Sequence, residues 1–294
     1  MMRRVLGLVL LASLAAACEP APPPTSKPLV VASFYPLYEF SRQVAGDRAQ
    51  VVSLVPPGVE PHDWEPSPQN VVELQNARLF VYNGAGFEPW VDKLLKEVTA
   101  RKTVTVSTTK GIELLASSKT VDPHVWLDPK LAQAQVDAIR AGLEQVDPGN
   151  AALYAENARL FKAKLASLDA AFTAGLRDCD QRAVVTSHAA FAYLARRYGL
   201  TQVPVMGLAP ESEPSPAELA SIVRLARRDR VRYVFFETLV SSRLAETLAR
   251  EVGAKTLVLN PIEGVTKEEA AAGKGYLALM EANLENLRTG LGCR

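Results

Sequence analysis

Short apolar runs rich in β-branched residues alternate along this chain with longer segments in which apolar positions recur every three or four residues. The short runs are typical of buried strands, and the longer segments are typical of amphipathic helices. In the first half, the predicted strands cover residues 29–33, 50–55, 79–83 and 103–106. The predicted helices between them cover residues 37–45, 68–76 and 88–98. This alternation predicts a parallel sheet with helical crossovers.

The second half repeats the same alternation. Its predicted strands cover residues 183–186, 202–205, 233–236 and 256–259. Its predicted helices cover residues 189–198, 215–227 and 241–252. Because the chain is longer than one core usually organises, we predict an α/β fold of two lobes. Each lobe is expected to hold a four-stranded parallel sheet flanked by helices.

The segment between the two halves is the most helical part of the chain. Asp147 is a good N-cap, Pro148 suits the first helical position, and an apolar stripe continues to Leu176. One continuous helix would join the lobes stiffly, and a helical hairpin is the alternative. The predicted organisation is an N-terminal lobe over residues 29–146, a linking helix over 147–177 and a C-terminal lobe over 178–294.

The N-terminus has the composition of an export signal. Within the predicted signal peptide, residues 1–17, two arginines precede an apolar run that is too short to span a bilayer. Cys18 follows in a context that resembles the lipobox of bacterial lipoproteins, in which the cysteine is lipidated. Ordinary signal-peptidase cleavage after Ala17 is the competing interpretation. Residues 18–28 then form a Pro-rich, extended tether, and both interpretations place the protein outside the cytoplasm, in a periplasm or at a cell surface.

Composition and cysteine use narrow the class of protein. A formal net charge of +1 without a basic run argues against nucleic-acid binding, and no later apolar stretch is long enough for a polytopic membrane protein. Besides Cys18, the chain contains Cys179 and Cys293. Two free thiols are disfavoured in an oxidising compartment, so we predict a disulfide between them. Metal binding by this pair is the weaker alternative, because no third soft ligand is near. We expect a monomer.

The chain contains only three histidines, His62, His124 and His188. Their intervals are far too long for a zinc finger or a single-helix site, so only the fold could gather them. Each histidine follows a predicted strand, and so does Glu263, which places two side chains per lobe near the carboxyl ends of parallel strands. Open α/β sheets bind ligands in the crevice at those ends. Three imidazoles and one carboxylate suit Zn²⁺ better than Mn²⁺, which prefers more oxygen, although affinity order alone also permits Cu²⁺ or Ni²⁺.

These residues also have plainer interpretations. A single histidine on a surface loop is usually a solvated polar side chain. Trp64 and Trp126, which lie close in sequence to His62 and His124, would either wall a metal cleft and exclude water or serve as rim packing. The repeated context of the three histidines favours the metal site.

Seven short phrases follow one another along nearly the whole chain beyond residue 28. They are ASFYP at 32–36, GVEPHDWEPSP at 58–68, DPHVWLDP at 122–129, DP at 147–148, VTSHAAF at 185–191, ESEPSP at 211–216 and NPIEG at 260–264. Each phrase alone is modest, but the ordered set is highly specific. It resembles the metal-binding proteins of bacterial zinc and manganese ABC uptake systems, the cluster A-I solute-binding lipoproteins.

This resemblance implies two α/β lobes joined by one backbone helix in a C-clamp, with limited closure around the metal and delivery to an ABC membrane permease. His62, His124 and His188 match the imidazole ligands of the family, and Glu263 matches its C-terminal-lobe carboxylate. Members that favour manganese have Glu at the position of His188. Zinc is therefore the expected cargo.

Two departures from the family pattern affect the expected site. Many zinc carriers have a His-rich loop before the second histidine, and residues 110–121 contain no histidine. The carboxylate is Glu263 where other branches have Asp, and some branches lack it, so Glu237 is the fallback fourth ligand. An ion pair in the cleft or at the surface is the other role open to Glu237.

Three competing functions are compatible with these residues. A manganese carrier of the same family would use the same cleft. A zinc hydrolase would leave one coordination position to water and use Glu263 as general base, but the chain has no nucleophile elbow or paired ligands on one helix. Exposed lipoproteins can also act in adhesion, although nothing in the sequence requires it. We expect a carrier and not an enzyme.

Overall fold

The structure, a computed structural model, describes residues 27–117, 120–210 and 214–294. The predicted signal peptide, Cys18 and nearly all of the predicted tether lie outside these residues. Among the described residues, no helix is long and apolar enough to cross a membrane.

The first lobe is built on a parallel sheet with strand order β2-β1-β3-β4. Its strands are β1 (Leu29–Ala32), β2 (Gln50–Ser53), β3 (Leu79–Tyr82) and β4 (Val104–Ser107). Its helices are α1 (Tyr35–Ala45), α2 (Pro68–Asn76), α3 (Val91–Ala100) and α4 (Pro129–Val146). Two short strands before α4, β5 (Ala116–Ser117) and β6 (Thr120–Val121), pair antiparallel. Strand β1 is buried in the middle of the sheet, as expected for an uninterrupted apolar run.

The second lobe repeats this topology, with strand order β10-β9-β7-β8. Its strands are β7 (Ala183–Thr186), β8 (Thr201–Pro204), β9 (Tyr233–Phe236) and β10 (Lys255–Val258). Its helices are α6 (Ala192–Tyr198), α7 (Pro216–Arg228), α8 (Arg243–Val252), α9 (Lys267–Ala271) and α10 (Tyr276–Leu291). In both lobes the first strand in sequence lies between the second and the third, and the predicted pair of four-stranded parallel sheets is confirmed.

One long helix, α5 (Ala151–Gly175), lies between the lobes. The predicted start at Pro148 differs from the structure, because residues Pro148–Asn150 form a 3₁₀ turn before the α-helix begins. The first part of α5 contacts the first lobe, where Asn157 donates to the carbonyl of Val44. The end of α5 packs on α10 of the second lobe. The prediction of a continuous helix over a helical hairpin is therefore correct.

The two lobes share one apolar core, which holds them against each other. A single cluster of buried side chains includes Phe34 and Trp126 from the first lobe, Phe172 from α5 and Tyr276 from α10. Hydrogen bonds also cross between the lobes: Gly58 donates its backbone N–H to Val265, and the Tyr193 hydroxyl donates to the carbonyl of Asp122. This shared packing limits the freedom of the lobes to separate.

A disulfide joins Cys179, just after α5, to Cys293 near the end of the chain, as predicted. The two residues also form an antiparallel bridge through their backbones. The disulfide fastens the end of α10 to the start of the second lobe.

Candidate metal centre

The three histidines and Glu263 come together between the lobes. The Oε1 atom of Glu263 lies 3.3 Å from Nε2 of His62, 3.1 Å from Nε2 of His124 and 3.2 Å from Nε2 of His188. One potential ligand atom from each of the four side chains lies within 4.8 Å of the others. The fold thus gathers all four sequence-predicted residues into one group.

The topology explains this convergence. His62 lies in the loop after β2, and His124 directly precedes a short 3₁₀ turn, Val125–Leu127, that leads into α4. His188 follows β7, and Glu263 follows β10. The two sheets turn their carboxyl ends toward each other, so each lobe supplies two side chains to the crevice.

Two of the imidazoles are fixed by carboxylates behind them. Nδ1 of His124 lies 2.8 Å from Asp122, which also accepts the backbone N–H of His124. Nδ1 of His188 lies 2.7 Å from Glu237. With Nδ1 donating to a carboxylate, Nε2 is left to face the centre, which is how metal-binding histidines are commonly held.

The sequence patterns above do not predict this role for either carboxylate. The Asp-x-His spacing of Asp122 and His124 is a usable local signal for it. Glu237, the fallback fourth ligand, lies on the far side of His188 and is absent from the group of converging ligand atoms. Its buried contact with His188 agrees with the other role considered for it, an ion pair in the cleft.

The centre is buried, and the carboxylate of Glu263 and the imidazole of His188 shift each other's pKa. Burial acts to raise the pKa of Glu263, but the attraction of His188 and His62 holds that pKa well below the usual range. Burial acts to lower the pKa of His188, but the charges of Glu263 and Glu237 raise it well above its usual value. A cation that binds here must displace the Nε2 proton of any imidazole that is charged, because only neutral imidazole is a ligand.

His62 is held differently from the other two histidines. Its ring packs edge-on against Phe87, with ring centroids 4.8 Å apart, and its backbone N–H donates to Glu60. Its side chain is 9% exposed, whereas those of His124 and His188 are fully buried. His62 faces a cavity of about 620 Å³ with mostly apolar walls from both lobes. Of the four converging residues, His62 alone lines this cavity.

The two tryptophans have separate roles. Trp126 is fully buried, with its ring centroid 5.2 Å from that of His124, and it packs on Phe34 and Phe87. Trp64 instead packs on Trp90 in the first lobe. Trp126 therefore forms part of the wall behind the metal centre, while Trp64 supports the loop beyond His62.

A buried polar network supports the wall of the centre in the first lobe. Glu88 accepts hydrogen bonds from the Ser33 hydroxyl at 2.6 Å and from the backbone N–H groups of Asn83 and Gly84. Asn83 donates in turn to the carbonyl of Pro123, the residue before His124. The network ties the loop that carries Phe87 to the loop that carries His124.

Glu88 should make stability fall as pH rises. Burial raises the pKa of Glu88 from about 4.5 to about 7, despite the hydrogen bonds that favour its charged form. The folded state therefore holds this proton more tightly than the unfolded state does. Between pH 4.5 and pH 8, the unfolding free energy of the wild type relative to Glu88→Gln should fall by about 3 kcal/mol. Urea denaturation of both proteins across this range measures the difference, and a constant difference would contradict the shifted pKa.

The donor set defines the chemistry of the centre. Three imidazole nitrogens and one carboxylate oxygen match the preferred ligands of tetrahedral Zn²⁺. Oε1 of Glu263 faces all three Nε2 atoms at similar distances, so the carboxylate oxygen and the imidazole nitrogens converge on one point. Two α/β lobes, one connecting helix and a buried metal centre between the lobes define a solute-binding protein for a metal ion.

Comparison with known proteins gives the family. The family described as "ZnuA: Zinc-uptake complex component A periplasmic" matches residues 30–290, and the chain belongs to this family. It is 42% identical over 277 residues to the high-affinity zinc uptake system protein ZnuA of Bacillus subtilis, covering 89% of this chain and 87% of that protein. Membership confirms the resemblance seen in the sequence phrases and identifies a transport component, not an enzyme.

Two further comparisons concern one streptococcal protein. The chain is 41% identical over 299 residues to the zinc-binding lipoprotein AdcA of Streptococcus pneumoniae, covering 95% of this chain and about 60% of AdcA. The crystal structure of the Zn(II)-bound ZnuA-like domain of AdcA superposes with a TM-score of 0.81 at 43% identity, covering 90% of this chain and 99% of that domain. The chain thus corresponds to one domain of the longer AdcA.

Proposed function

We propose that this protein is the extracytoplasmic binding component of an ABC metal uptake system, which captures Zn²⁺ between its two lobes and delivers it to a membrane permease. The observation that carries the proposal is the convergence of four ligand atoms from both lobes within 4.8 Å in a buried cleft. Family membership supports the assignment, since the family is that of a zinc-uptake complex component.

His62, His124, His188 and Glu263 are the proposed ligands. Three imidazoles favour zinc, because Mn²⁺ prefers a shell richer in oxygen. The carboxylates behind His124 and His188 hold those rings in place before the metal arrives, which reduces the ordering cost of binding. Zinc is the cargo of the protein and is released again.

The proposed organisation follows from the two lobes. The N-terminal lobe comprises residues 29–146, the linking helix 147–177 and the C-terminal lobe 178–294. Lipidation at Cys18, after removal of residues 1–17, would retain the protein at the membrane through the tether of residues 18–28. The protein would act there as a monomer that presents its cleft to the permease.

Metal content and competition tests check this function. Elemental analysis of the natively purified protein should find about one zinc per chain, and titration against a chromophoric chelator should show far tighter binding of Zn²⁺ than of Mn²⁺. Glu97→Gln on α3, which removes a carboxylate outside the cleft, serves as the control and should bind zinc like the wild type. Manganese in the purified protein, or equal affinity for the two metals, would overturn the zinc assignment.

A further inference from the structure

The loop that carries Glu263 has an unusual backbone. Ile262 directly precedes Glu263 and has φ of 56°, in the left-handed region. This conformation is unfavourable for a β-branched side chain, and such residues persist only where the surroundings hold them. The Ile262 side chain is fully buried. The direction in which Glu263 leaves the backbone therefore depends on what maintains this turn.

Two asparagines of the second lobe provide part of the support. The side-chain oxygen of Asn260 accepts the N–H of Ile262 at 2.7 Å. Asn283 on α10 accepts the N–H of Asn260 at 2.8 Å and donates to its carbonyl at 2.6 Å. These bonds close the turn from within its own lobe.

The remaining support comes from the other lobe. The indole N–H of Trp126 donates to the carbonyl of Pro261 at 2.8 Å, between residues 135 positions apart in sequence. Trp126 has little freedom to move, because its ring is packed among Phe34, Phe87 and His124, and its own carbonyl accepts the hydroxyl of Tyr276. A rigid group of the first lobe thus holds the carbonyl one residue before the strained turn.

We propose that Trp126 is a positioning residue for the metal centre, which acts from the first lobe on the Glu263 loop of the second. The inference rests on the proposed function. It adds that the position of Glu263 depends on Trp126: Glu263 reaches the three imidazoles only while Trp126 holds the Pro261 carbonyl. Pro261 is buried, so its carbonyl would lose its partner if the indole N–H were removed. The turn at Ile262 would then be free to relax and to draw Glu263 away from the histidines.

A double-mutant cycle on the full chain tests this role. Trp126→Phe removes the N–H and keeps an aromatic ring in the core. It should raise the zinc dissociation constant about tenfold, the lower end of the effect of losing a group that supports a metal ligand. In the Glu263→Gln background, the same change should raise the constant less than twofold, because the loop no longer delivers a carboxylate. A general loss of packing would weaken binding equally in both backgrounds.

Two further variants make the result decisive. Tyr198→Phe removes another side-chain hydrogen bond made by a residue of this core, the part-buried bond to Asp169, and should leave the zinc dissociation constant within twofold of the wild type. If Trp126→Phe does not fold, benzothienylalanine at position 126 keeps the shape of the indole and lacks its N–H. The proposal is wrong if either Trp126 variant binds zinc like the wild type, or if the loss is equal in both backgrounds. A wild-type protein that does not bind zinc would instead overturn the proposed function.

Discussion

His124→Ala should weaken zinc binding by about a hundredfold to a thousandfold, which corresponds to roughly 3 to 4 kcal/mol, about one quarter of the free energy of a four-ligand zinc site. His124 is fully buried and its ring is fixed by Asp122, so it enters the centre already oriented. The substitution removes one proposed ligand and leaves Asp122 without its imidazole partner. Chelator competition at fixed pH measures the change in the dissociation constant.

A second measurement separates loss of the ligand from loss of the fold. Zinc should raise the midpoint of thermal unfolding of the wild type, because it binds the folded state alone. The His124→Ala protein should unfold cooperatively in the absence of metal and show little rise at the same zinc concentration. A full zinc-dependent rise in this variant would show that His124 is not a ligand.

Loss of the disulfide should lower the unfolding free energy by about 4 kcal/mol, because Cys179 and Cys293 are 114 residues apart and their link restricts a long loop in the unfolded chain. The double variant Cys179→Ser, Cys293→Ser, compared with the wild type by urea denaturation, measures this loss. A reducing agent should destabilise the wild type to the same extent and leave the double variant unchanged. Equal stability of the oxidised wild type and the double variant would refute the prediction.

The repeating architecture and the converging residues could both be predicted from the sequence. Each strand is a short apolar run rich in β-branched residues. Such a run can be recognised from its own residues, without knowledge of distant contacts. The histidines were identifiable because the chain has only three and each follows a strand. Glu263 was identifiable because it also follows a predicted strand. Parallel strands have their carboxyl ends at one edge of the sheet. This rule was enough to predict that the three histidines and Glu263 lie close together.

The parts that could not be predicted depend on contacts between distant residues. Nothing local to Glu237 shows that it will lie 2.7 Å from the ring of His188. The left-handed backbone at Ile262 is equally hidden, because a β-branched residue disfavours that conformation and only its neighbours in space maintain it. The place of Trp126 in the cleft wall depends on Phe34, Phe87 and the carbonyl of Pro261, none of which is near it in sequence. Sequence patterns thus located the four converging residues, and tertiary contacts determine how firmly each side chain is held.

The bond between Cys179 and Cys293 also changes what a protease can do to this protein. It makes the second lobe a covalently closed ring, joined to the rest of the molecule through the helix α5. A single cut anywhere within that ring leaves both fragments attached, so His188 and Glu263 remain on one molecule after a nick. Release of either fragment requires a second cut or reduction of the disulfide. The disulfide therefore protects this extracytoplasmic protein against losing part of its metal centre after one proteolytic cut.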